Sequence, residues 1–75
     1  MKLKNDCDIV AFLKAVSLCR EDVYFISDQN DFLNLKSVLS AYIFLATAEG
    51  HSWLEHGSIH LLNKSDRQYI EIFLQ

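Results

Sequence analysis

The sequence predicts an α+β fold, an open-faced sandwich in which a four-stranded antiparallel sheet carries three helices on one face. Three observations lead there. The 75 residues suffice for one small domain covering positions 1–75. Short β-branched and aromatic runs interleave with amphipathic runs in the order β-α-β-β-α-β-α. Each helical run has one apolar side, so the helices must share one sheet face to bury it.

The elements follow in order. "MKLK" is long enough only for a short edge strand. In "NDCDIVAFLKAVSL", Ile9, Phe12, Leu13 and Val16 fall at i, i+3, i+4 and i+7, an apolar stripe on a first helix. Asn5 is suited to cap it, in capping-box spacing with Asp8, and Asp6 and Asp8 complement the helix dipole. "DVYFIS" (22–27) is a strand with Val23 and Phe25 on one face and Tyr24 and Ile26 on the other. "DQND" (28–31) has turn chemistry, and "FLNLK" (32–36) alternates with Leu33 and Leu35 together, so the two runs make a hairpin. Ser37 then ends the alternation at a good N-cap position. Val38, Leu39, Tyr42, Ile43 and Ala46 lie along one face of the second helix and are expected to meet the sheet, with Gly50 as a stop. "SIHLL" (58–62) is a fourth strand. "NKSDRQYIEIFLQ" is a closing helix, with Ser65 as N-cap, Gln68 completing a capping box, and Tyr69, Ile70, Phe73 and Leu74 on its apolar face.

Composition narrows the function. Hydrophobic residues make up 51%, including five Phe, three Tyr and one Trp, enough to cover one side of a small sheet. Net charge is −3, and the basic residues are scattered rather than clustered, which argues against nucleic acid. The start is charged at once, unlike a signal peptide. The longest apolar stretch, "AYIFLA", falls far below the roughly 20 residues of a membrane span. A soluble, cytoplasmic chain is expected, with no membrane insertion. Cys7 and Cys19 are too few and too far apart for a disulfide framework or zinc site, and read as reduced thiols.

No residue set announces an enzyme. His51, His56 and His60, with Glu49 and Glu55, match no zinc motif, so no metal or other cofactor is expected. Cys7 sits where a helix dipole would favour a thiolate, but Asp6 and Asp8 oppose it and no His–Asp partner set accompanies it. The acidic pairs Glu21–Asp22 and Asp28–Asp31 fall in turns, where charge is simply solvated. Trp53 is either a lid over the core or an interface anchor. Phe44 and Leu45 point away from the expected sheet-facing side of the second helix. They are either buried under the 47–57 connection or part of an apolar patch for a partner.

The element order, the segment "LNLKSVLSAYIF" and the ending "GSIHLLNKSDRQYIEIFL" together resemble the histidine-containing phosphocarrier protein (HPr) family of the bacterial sugar phosphotransferase system. In that family a hairpin ends in a small–Lys–Ser step into the second helix; "NLKSVLS" is similar, with Leu35 where a small residue is commoner. The family carries its phospho-acceptor histidine in a Gly-Leu-His-Ala-Arg-Pro-type motif before the first helix. Matching through Phe12 sets Asn5 at that histidine and Cys7 near the arginine, and the proline is missing. The asparagine amide has no nucleophilic nitrogen. The resemblance therefore implies a non-catalytic HPr-like module that binds a protein partner or self-associates, through surplus apolar groups such as Phe44 and Trp53. It also implies an alternative, a phosphotransferase-system regulatory protein phosphorylated at Ser37, where Gram-positive members take a phosphate. The family's glycine shortly afterwards is Ser40 here, and the 46–57 stretch is longer by several residues.

Overall fold

A computed structural model of the chain describes residues 1–29, 31–48 and 56–75, with the backbone alone at 47 and 48. Among these the elements run α1 (Ile9–Val16), β1 (Val23–Ile26), β2 (Phe32–Asn34), α2 (Val38–Ala48), β3 (Ser58–Leu61) and α3 (Arg67–Ile70). Single 3-10 turns, Lys64–Asp66 and Glu71–Phe73, flank α3. The class is α+β, with a three-stranded antiparallel sheet in the order β2-β1-β3.

Register follows from the alternation in β1. Phe25 lies opposite Leu33 and Ile59, and Val23 opposite Leu61, which puts the apolar set on one face. Tyr24 lies opposite Asn34 and His60, and Ile26 opposite Phe32 and Ser58, on the other. The hairpin turn is held by Ser27. Its buried hydroxyl accepts from the Asp31 and Gln29 amides at 3.0 and 3.2 Å, and its own amide donates to the Asp31 carbonyl at 3.0 Å.

The core joins that first sheet face to all three helices. Phe12 and Val16 of α1, Phe44 of α2, Ile70 of α3, Leu3 and Leu74 are buried with Val23, Phe25 and Ile59. Phe44 is the keystone, its ring 5.0 Å from that of Phe25 and 6.2 Å from that of Phe12. Gly57 is required beside Phe25, because a Cβ there would fall 2.2 Å from the tip of the Phe25 ring.

Four expectations are corrected. The edge strand expected in "MKLK" is not formed, because residues 1–4 divide their hydrogen bonds between two partners. Met1 exchanges bonds with Ile59 on the outer edge of β3, whereas Lys2 and Lys4 bond Gln75 and Phe73, around a single Leu3–Leu74 bridge. Asp8, not Asn5, caps α1, its carboxylate accepting from the Ala11 amide at 3.1 Å. Asn5 lies in a preceding turn closed by Cys7 N–H on the Lys4 carbonyl. The closing segment is capped at Asn63 rather than Ser65, on the 3-10 turn Lys64–Asp66 that leads into α3: Asn63 accepts from both the amide and the hydroxyl of Ser65. Its expected apolar face does hold, with Ile70 and Leu74 buried and Tyr69 and Phe73 packed against the core.

The fourth correction concerns α2. The side expected to meet the sheet faces outward, with Val38 80%, Leu39 73% and Tyr42 71% exposed, while Phe44 is 0% exposed. Phe44 is thus a core residue and not an interaction-surface residue. The physical reason is in "VLSAYIFLATA", where apolar groups occupy every side of the helix. Ser40 and Ala41, small and partly buried, let the backbone approach closely enough for one Phe to fill the space under it. The expectations for Gly50, Glu49, His51, Trp53 and Glu55 lie outside the described residues.

Candidate functional site

The outward side of α2 is the candidate site. It begins at the strand-to-helix joint. The Asn34 side chain accepts from the Lys36 amide at 3.0 Å, and the Asn34 carbonyl accepts from the Ser37 amide at 3.0 Å, turning the chain out of β2. Ser37 occupies the N-cap position, since its carbonyl accepts from Ala41 N–H at 2.9 Å. Its side chain is exposed. The Lys36 ammonium donates to the Cys19 carbonyl, tying this joint to the end of α1.

Between α1 and the start of α2 runs a groove of about 440 Å³. Leu13 and Ser17 border it on one side, and Ser37, Val38, Ala41 and Tyr42 on the other, over a floor that includes buried Leu35. A mostly apolar groove beside exposed Val38, Leu39 and Tyr42 can bind an apolar surface.

The other sequence candidates are dispersed. Burial, then the carboxylates of Asp8 and Asp6, push the Cys7 thiol up from its ordinary value, the opposite of an activated thiolate. Cys19 is also pushed up, first by burial and then by Asp66; its Sγ lies 3.8 Å from the Asp66 carbonyl. His60 is exposed on the open sheet face, 2.8 Å from the Ser58 hydroxyl, and His56 is exposed before Gly57. Among the described residues no group of three or more His, Cys, Asp or Glu is placed to hold a metal ion. No helix among them is long and apolar enough to cross a membrane. Of the acidic pairs, Asp31 braces the hairpin turn through Ser27, and Asp22 accepts from the Tyr24 hydroxyl at 3.2 Å.

One carboxylate had no sequence signal. Asp66 is buried and accepts from the Arg20 amide with both oxygens at 3.0 Å and from the Glu21 amide at 3.0 Å. The Arg20 amide first, then that of Glu21 and nearby cations, outweigh burial and hold it below the usual carboxylate range. It is structural, clasping the α1–β1 connection. No protein-family model matches this chain, nor does any curated protein or any solved structure.

Proposed function

We propose that the chain is a non-catalytic, HPr-like protein-interaction module that binds through the outward face of α2. One observation carries this reading: an eleven-residue helix buries Phe44 yet leaves Val38, Leu39 and Tyr42 in solvent beside a groove. Large apolar side chains gathered on one exposed helix face are the usual mark of a binding surface. The HPr-like part is supported by the α+β class, by helices on one side of an antiparallel sheet, and by the Met1–Ile59 hydrogen bonds along the β3 edge. Asn5, at the family's histidine, sits exposed in a turn with no nucleophile to offer.

The test has two arms. Incubation with phosphoenolpyruvate and enzyme I leaves the chain unlabelled; acid-labile phosphate on any histidine contradicts the non-catalytic reading. Leu39→Glu and Tyr42→Glu abolish association with whatever the wild type binds while leaving the melting temperature unchanged. Association indifferent to both variants contradicts the α2 face.

A second reading has its own observation. Ser37 presents an exposed hydroxyl at the N-cap position of α2, open to a kinase and favourable for the resulting anion. Mass measurement after treatment with the cognate kinase and ATP decides it, since no added phosphate removes the reading.

A further inference from the structure

We propose that the outer edge of β3 binds an extended acidic peptide of another protein, which continues the sheet alongside Leu61. The register fixes what this edge offers. Leu62 N–H bonds the Asp22 carbonyl, and His60 and Ser58 lie opposite Tyr24 and Ile26, so these alternate positions turn their backbone groups inward to β1. Ile59 and Leu61, between them, turn theirs outward. Ile59 exchanges both of its bonds with Met1. Leu61, the next outward position, has no backbone partner on that edge among the described residues. One donor and one acceptor therefore stand ready for an added strand, beside the place where Met1 already pairs.

The side chains around that edge choose the occupant. A groove of about 380 Å³ lies along it, lined by Met1, Ile59, His60, Leu61, Lys64 and Arg67. No acidic residue among the described ones lines it, although the chain carries a net −3. Lys64 comes from the turn after β3 and Arg67 from the start of α3, so the closing segment folds two cations back to the strand edge. Both are exposed. The Arg67 guanidinium meets Glu71 through Nε at 3.6 Å, an exposed pair that water weakens. A guanidinium has five N–H donors, so that pair leaves capacity for a second carboxylate.

Backbone and charge together select a peptide over other anions. Nucleic acid needs a larger cluster of cations than this edge provides. A small anion would use Lys64 and Arg67 but not Leu61. An extended peptide uses all three. Its main chain bonds Leu61, and carboxylates on alternate residues share the side of Lys64 and Arg67. Two backbone bonds and two exposed ion pairs make a weak complex, with a Kd on the order of 0.1 mM. The β3 edge is separate from the α2 face, and binding at one does not require the other.

Titration of the isotope-labelled chain with the peptide Glu-Val-Glu-Val-Glu, blocked at both ends and followed by amide NMR shifts and hydrogen exchange, tests it. The expected result is a saturable shift of the Leu61, Lys64 and Arg67 amides, with slower exchange at Leu61. The Lys-Val-Lys-Val-Lys counterpart shifts none of them. Lys64→Glu and Arg67→Gln, both at exposed positions, each weaken binding several-fold, and together about tenfold or more, with unchanged melting. Lys14→Glu, an exposed charge change on α1, leaves binding intact. No saturable shift at about 1 mM peptide overturns the proposal, as does equal binding of the two peptides. Shifts at Lys64 and Arg67 without slower exchange at Leu61 mean a small-anion site and overturn strand addition.

Discussion

At the residue scale, three positions carry specific consequences. Asp66 answers two backbone amides that lie 46 and 45 positions away in sequence, so it clasps the end of α1 to the closing segment. Its carboxyl is held below the ordinary value, so its contribution is fully present above the unfolded value of about 3.9 and is lost as pH falls through the lower folded value. Asp66→Asn therefore lowers the melting temperature at pH 7, and the gap to wild type narrows as the pH is taken below about 4. A constant gap across that range contradicts the role. Gly57 lies against Phe25, so Gly57→Ala forces the ring or strand to move and costs about 1–3 kcal/mol in urea unfolding. Cys7, with its thiol pushed up by burial and two aspartates, reacts with a thiol-specific reagent at pH 7 more slowly than a free cysteine.

At the element scale, the three strands β1, β2 and β3 were legible, whereas the "MKLK" edge strand and the orientation of α2 were not. "VYFI" alternates between a core face and an open face, and a one-residue slip would exchange them, so the register was legible from the pattern. In "VLSAYIFLATA" two stripes meet the helical spacing, and only the shape of the space above Phe25 decides that Phe44 goes in. The N-cap position of Ser37 was legible, because it depends only on neighbours. Phe44, which the sequence leaves open between burial and an apolar patch, is buried because the other apolar stripe of α2 turns outward. Ser37→Asp adds an anion that suits a helix N-terminus, worth about 0.3–1 kcal/mol, but sets it on the rim of an apolar groove. Its melting temperature at pH 7 holds or rises slightly, and a clear fall would contradict the N-cap position of Ser37.

At the scale of the whole molecule, the two ends of the chain are sewn together. Lys4 donates to the Phe73 carbonyl and Gln75 to the Lys2 carbonyl, both at 2.9 Å, and Gln75 Nε2 reaches the Leu3 carbonyl at 3.0 Å. This long-range pairing replaced the expected edge strand, and local pattern in "MKLK" could not announce it. Asp66 was invisible for the same reason, since its partners are brought to it only by the finished fold. What the sequence carried was whatever local periodicity and turn chemistry determine: the order of elements from α1 onward, the hairpin and the α+β class.

The central claim is that α2 buries Phe44 and turns its other apolar side to solvent as a binding face. Urea unfolding of two variants at low micromolar concentration tests it most directly. The account predicts that Phe44→Ala costs about 3–5 kcal/mol, and that Leu39→Ser stays within about 0.5 kcal/mol of wild type. A large loss at Leu39 with little at Phe44 would mean the helix sits the other way round, and would contradict the account.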